Sequence, residues 1–248
     1  MSNPISGFGY LFRGISLIIQ PGVKRFVIIP LLINVLLFVG LFWTLGSYVS
    51  DFIDYLLPSL PGWLSWLQHL LWLIFAILAG LIMFFTFTFV ANLIGSPFNS
   101  FLSAAVEKHL TQQNPPGSDR KLLAEIGTMI LSELKKWGYF GLWALLLLIL
   151  TFIPVINIFS PVFWFIFGAW MLSVEYLDYP MGNHGLTFSE VRKEIANQRL
   201  NSLSFGSAVT IATLIPIVNF VVMPIAVAGA TAMRVERYPL NKQIEQTS

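Results

Sequence analysis

Residues 151–158 read TFIPVINI, and residues 213–220 read TLIPIVNF. Thr, Ile, Pro and Asn coincide in register, and the remaining positions stay apolar. Each octet lies inside a long uncharged run, Trp137 to Val174 in one case and Leu200 to Met233 in the other. A proline lacks the amide that a helix needs, so each Pro/Asn pair marks a break or a kink. The apolar arms around the breaks hold roughly 10–16 residues. As helix they reach about 15–24 Å, short of the ~30 Å hydrocarbon core. The pattern predicts two re-entrant helical hairpins, 138–174 and 203–233, that enter and leave the bilayer on one side. One long kinked helix, or two full spans, would fit the same residues.

The correspondence continues outward. Gly168-Ala169 and Val174-Glu175 match Gly229-Ala230 and Val235-Glu236, and Tyr179-Pro180 matches Tyr238-Pro239. Two apolar runs resemble each other by chance; two runs sharing Pro, Asn, Gly and Glu in register form an internal repeat. Repeated, interrupted hydrophobic segments point to a transport site.

Before the hairpins lie two uninterrupted apolar segments, 26–49 and 70–94, neither carrying a charge. Each has the ~20 residues that a crossing requires, which predicts two transmembrane helices. Pro30 is expected in the first turn of its helix, where a missing amide matters little. Ser118 is placed to cap an amphipathic helix leading to Trp137. Thr187 and Glu190 form a capping-box pattern ahead of Val191 and Ile195. Phe8, Leu11, Phe12, Ile15 and Ile19 make an apolar stripe on an N-terminal helix expected to lie in the membrane interface and to end at Pro21. Gln113 to Gly117 (QNPPG) reads as a turn. No separable soluble domain is expected: residues 1–248 read as one all-α membrane domain with two spanning helices, two hemi-penetrating hairpins and interfacial helices.

Composition supports this class. Of the 248 residues 56% are hydrophobic and only 10% charged, with a mean hydropathy of +0.76. Soluble domains carry about 25% charged residues. Cysteine is absent, which excludes disulfides, thiolate nucleophiles and Cys-based metal sites, and three scattered histidines suggest no metal site. The first thirteen residues show no apolar core leading to a small-residue cleavage site, so no signal peptide is expected. The segment between the two spans, Gly46 to His69, contains Asp51 and Asp54 but none of the 14 Lys and Arg. The positive-inside rule then puts both termini and both hairpin bases in the cytoplasm, with Trp63, Trp66 and Trp72 at the opposite interface.

Backbone broken within a bilayer must be sheltered by protein or water. Two spanning helices cannot enclose two hairpins, so the chain is expected to oligomerise around a central path. The acidic residues all lie outside the long apolar runs, which argues against a cation path. Gly22-Val23-Lys24-Arg25, just before the first span, combines a permissive backbone, a helix N-terminus and two cations, a set suited to a tetrahedral oxyanion. Lys24 and Arg25 also fit a purely topological anchor. Asn157, Ser160 and Asn219 are candidates for the path or for caps of the broken helices. The second arms are expected to begin near Pro161 and Pro224 and to aim their N-termini at the tips. Glu175 and Glu236, with Arg234 and Arg237, are candidates for a gate or for ion pairs at the hairpin base. Gly95-Ser96-Pro97-Phe98-Asn99 reads as a helix break after the second span.

The stretch PGVKRFVIIPLLINVLLF (21–38), the motif LIGSPFN (93–99) and the two IPVIN/IPIVN hairpins together resemble the CysZ family of bacterial inner-membrane sulfate permeases. The resemblance runs over nearly the whole chain. The family's basic motif has leucine and arginine where this chain has Val23 and Lys24; lysine keeps the charge but not the bidentate fork. The resemblance implies sulfate uptake for cysteine synthesis; sulfite and other oxyanions are candidates for further ligands. It also implies a homo-oligomer built from antiparallel dimers, which conflicts with the one-sided distribution of Lys and Arg. Membrane lipid is the other expected partner; no nucleic acid, cofactor or metal is expected. No Gly-x4-Gly-Lys-Ser/Thr motif marks ATP binding, and no buried carboxylate or histidine marks a proton wire, which favours a channel-like or facilitated route. A membrane scaffold or assembly factor without transport is the alternative. An enzyme is disfavoured, because serine, histidine and acid residues do not converge within the apolar runs.

Overall fold

The computed structural model describes residues 6–56, 62–116 and 122–239, and all regular structure among them is helical. Eight helices follow in order: α1 Ser6–Ile18, α2 Arg25–Leu56, α3 Ser65–Thr111, α4 Leu122–Thr151, α5 Ser160–Gly182, α6 Phe188–Asn197, α7 Arg199–Thr213 and α8 Pro216–Arg237. The chain is an all-α membrane protein. Gly62–Phe84, Leu134–Thr151 and Ile156–Gly182 are each long and apolar enough to cross a bilayer. Two compact units form, Ile28–Phe98 on one hand and Met1–Val27 with Asn99–Ser248 on the other.

The first of these units carries the two predicted spans. Its apolar side chains, such as Ile28, Leu32, Leu36 and Ile77, Leu81, Ile82, are exposed, as lipid-facing residues must be. Two local expectations fail here. Pro30 lies in the second turn of α2, because the helix already starts at Arg25. The break expected at Gly95–Asn99 does not occur: α3 continues through Pro97 to Thr111. Proline inside a helix removes one hydrogen bond, to Leu93 here, without obliging the chain to turn.

The second unit contains both hairpins. Helix α4 joins α5 through residues 152–155 and a 3₁₀ turn at Ile156–Phe159. Helix α7 joins α8 through Leu214 and Ile215 alone. Pro154 and Pro216 thus stand at the tips, where the repeat placed them. The second arms begin at Ser160 and Pro216, with Pro161 and Pro216 in first turns. The expected start near Pro224 is wrong; Pro224 sits inside α8. The arms are also longer than their apolar runs. Helices α5 and α8 have 23 and 22 residues, about 33–35 Å of helix, since they run on through Glu175, Asp178, Arg234 and Glu236. The amphipathic helix expected before the first hairpin and that hairpin's first arm are one helix, α4; its expected cap, Ser118, lies outside the described residues.

Close backbone approach holds this unit together. A Cβ on Gly206 of α7 would lie 1.7 Å from the Ala169 carbonyl oxygen of α5. On Gly14 of α1 it would lie 2.1 Å from the Ile225 carbonyl oxygen, and on Gly229 of α8 2.5 Å from that of Tyr10. Small residues at such crossings are how apolar helices gain contact where lipid offers no hydrophobic contrast. Helix α1 ends at Ile18, before the expected Pro21; it buries Tyr10, Leu11 and Leu17 against α7 and α8, so Leu11 leaves the expected outward stripe, and it turns Phe8, Phe12 and Ile15 outward, with Ile19 exposed just past its end. Around Phe205, Val209, Met233 and Val174 the core is fully buried. Thr187 caps α6 as predicted: its amide and hydroxyl both donate to Glu190 Oε2 at 2.7 Å, and Val191 and Ile195 are buried.

Candidate functional site

Between α1 and α2 the chain turns tightly. Gly22 has φ +86°, and nothing lies within 4 Å of where a Cβ would be. The Val23 and Lys24 amides donate to the Gln20 carbonyl at 3.1 and 3.2 Å, and those of Phe26 and Val27 donate to Val23 and Lys24. Fewer amides are therefore open at this helix start than the sequence suggested. Val23 is buried and acts as the plug that seats the turn. Lys24 and Arg25 are exposed, and the Arg25 guanidinium lies 4.8 Å from the Phe26 ring centroid, which limits its orientations. Two solvent-facing cations thus follow an open left-handed glycine, separated from it by the buried Val23.

At the first tip Thr151 and Ser160 hydroxyls meet at 2.8 Å, and Trp164 Nε1 donates to Thr151 Oγ1 at 3.2 Å. Ser160 is buried, so its hydroxyl is spent on closing the hairpin. Asn157 and Asn219 are both exposed, and neither caps a helix; Val155, Phe159 and Ile215 hold those positions. Val155 adopts φ 74°, unusual for a β-branched residue.

Away from the tips the same unit buries a polar cluster. Arg234 Nη1 donates to Glu107 Oε1 at 2.8 Å, and His184 Nε2 lies 2.7 Å from the same oxygen. Glu107 Oε2 and Arg234 Nε are buried without a partner. Burial pushes the Arg234 guanidinium below its ordinary value, and Glu107 opposes that shift. Thr231 donates to Ser103 at 2.9 Å beside them. A second set joins Lys136, 1% exposed, to Asp178 at 3.0 Å and to Glu175 at 3.3 Å. Tyr179 donates to Glu175 and accepts from Asn99 Nδ2 at 3.3 Å. Glu236 pairs with Arg13 and accepts from the Tyr10 hydroxyl at 2.8 Å, while Arg237 Nε donates to Tyr10. The four candidate gate residues are thus not paired with one another; each binds a residue of another helix.

A family model described as "Sulfate transporter CysZ/Etoposide-induced protein 2.4" matches residues 10–224. The chain belongs to this CysZ family. Among its relatives is a "Sulfate transporter CysZ" of Pseudomonas fluorescens, 45% identical over 229 residues, 92% of either chain. Another, from Pseudomonas aeruginosa, is 44% identical, covering 92% of this chain and 93% of its own. That of Pseudomonas syringae pv. tomato is 43% identical, covering 92% and 90%. These CysZ relatives are named as transporters, not as enzymes.

In this CysZ chain, sequence reasoning missed Glu107, His184, Lys136 and Asp178. In the sequence Lys136 is one of the 14 Lys and Arg and bears on topology alone. Its signal was nonetheless present: Glu175, Asp178 and Tyr179 have i, i+3, i+4 spacing, which stacks them on one helical face. Three polar groups on one face of an otherwise apolar arm require a buried partner.

Proposed function

We propose that this protein carries sulfate across the bacterial inner membrane by a channel-like or facilitated route, supplying sulfur for cysteine synthesis. The observation that carries the proposal is the shared length: relatives named as sulfate transporters align with nine-tenths of this chain, and nine-tenths or more of their own, at 43–45% identity. The chain is multi-pass, with α2 and α3 spanning and the α4–α5 and α7–α8 hairpins penetrating part-way. The Lys/Arg distribution supports cytoplasmic hairpin bases. Sulfate is met at Gly22–Arg25, where two exposed cations and an open glycine suit a tetrahedral dianion. Sulfite and related oxyanions fit the same chemistry.

Exposed tip residues, Phe152, Val155, Ile158 and Leu214 among them, support a homo-oligomer whose sister subunits shelter the tips and line the path with Asn157 and Asn219. A dianion entering against ~100 mV is opposed by about 4.6 kcal/mol, so uptake is sustained by consumption inside the cell. The test is uptake of radiolabelled sulfate by proteoliposomes holding only this protein. Flux that is saturable and competed by sulfite is expected. No flux above empty liposomes would leave a scaffold and overturn the proposal.

A further inference from the structure

Residues of α4, α5, α6 and α7 line an open surface cavity of about 390 Å³. Its polar wall is basic: Arg192, Lys193 and Arg199 all line it. Its other wall is apolar and aromatic, with Tyr139, Trp170 and Ile166. Arg192 lies 4.4 Å from the Tyr139 ring centroid and 5.8 Å from that of Phe188, so its fork is held at the cavity rather than free in solvent. None of the three cations forms an ion pair among the described residues. The nearby acid Glu190 is engaged by Thr187 in the α6 cap and acts on Lys193 only from beyond ion-pair distance. Three cations beside an apolar slot leave unanswered charge on one side and uncovered hydrocarbon on the other.

Depth selects the occupant. Tyr139 precedes the first tip by twelve residues and Trp170 follows Ser160 by ten, about 15–18 Å along the arms. Half of a ~30 Å hydrocarbon core is about 15 Å. On hairpins whose tips reach the midplane, the cavity sits at headgroup level, and exposed Trp143, Phe163 and Ile166 continue from it toward the tips. We infer that this cavity is a binding site for an anionic glycerophospholipid. The phosphate meets Arg192, Lys193 and Arg199, and an acyl chain follows the α4–α5 face. Sulfate alone would satisfy the cations but leave the apolar wall uncovered. The inference rests on the part-way hairpins proposed above and is independent of which solute the protein carries.

The experiment is native mass spectrometry of the delipidated full-length protein titrated with phosphatidylglycerol or with phosphatidylcholine of the same chains. Phosphatidylglycerol is expected to bind more tightly, and Arg192→Gln with Arg199→Gln to weaken it by about thirtyfold, with phosphatidylcholine unaffected. Lys193→Gln, at an exposed position, is expected to give a smaller loss, and its result stands if the double variant fails to fold. Equal affinity for the two lipids would overturn the inference. So would unchanged phosphatidylglycerol binding in folded variants, or displacement of the lipid by millimolar inorganic sulfate.

Discussion

Arg234, near the end of α8, reaches Glu107 of α3 at 2.8 Å, and both are nearly closed to solvent. They are 127 residues apart in sequence. A buried pair of this kind is costly to break from one side, by about 3–5 kcal/mol, because the partner left behind is an uncompensated charge. Arg234→Met is therefore expected to lower the thermal unfolding midpoint of the purified protein strongly. Arg234→Met combined with Glu107→Gln should recover much of that loss. A single variant as stable as the parent would show that the pair does not hold these helices together.

The repeat supplies a second comparison. Gly168 and Gly229 occupy matched positions, yet a Cβ on Gly168 would meet nothing within 4 Å, whereas one on Gly229 would meet the Tyr10 backbone at 2.5 Å. Gly168→Ala is expected to be neutral or slightly stabilising, since alanine favours helix by up to ~1 kcal/mol. Gly229→Ala, and Gly206→Ala against the Ala169 carbonyl, should destabilise by about 1–3 kcal/mol or more, because a backbone must move. Chemical or thermal denaturation in detergent separates these outcomes.

That contrast also marks what sequence can and cannot convey. Pro154, Pro216 and the Thr187–Glu190 box act through local backbone chemistry, and each is where its spacing predicted. Gly229 packs against α1 while its counterpart packs against nothing, because the partner helix lies outside the repeat. Likewise Glu175 and Glu236 match in register but bind Lys136 and Arg13 respectively. A repeat carries over the geometry of a hairpin, not the neighbours that surround it. Pro97 misleads for a related reason: the Gly-Ser-Pro-Phe-Asn pattern permits a break without imposing one, and α3 runs on through it.

Glu236 gives a pH dependence with a definite sign. Burial alone would raise its carboxyl, but hydrogen bonds from Arg13 and Tyr10 outweigh it and hold the group below the ordinary glutamate value of 4.5. The unfolded chain then binds the proton more readily than the folded one. The associated stability is present above pH 4.5 and disappears as pH falls through the lower folded value. Glu236→Gln should lower the neutral-pH midpoint modestly, since the pair is partly exposed, and its curve should meet that of the parent in acid, where Glu236 is protonated. Midpoints recorded against pH for the two proteins test it; parallel curves would assign the acid limb to other groups.

The turn at Gly22 allows the binding proposal to be divided into charge and geometry. Lys24→Ala with Arg25→Ala removes both exposed cations and should weaken sulfate binding by at least about tenfold. Lys24→Arg keeps the charge and adds a planar fork, so binding should be retained or tightened. Gly22→Ala removes no charge and meets no neighbouring atom, but its φ of +86° penalises an L side chain by about 1–2 kcal/mol. If the left-handed turn is what presents the cations, Gly22→Ala should weaken binding while the global unfolding midpoint shifts only slightly. Titration calorimetry at low ionic strength resolves all three. Equal affinity in the parent and every variant would make Lys24 and Arg25 topological anchors and move sulfate recognition elsewhere in the chain.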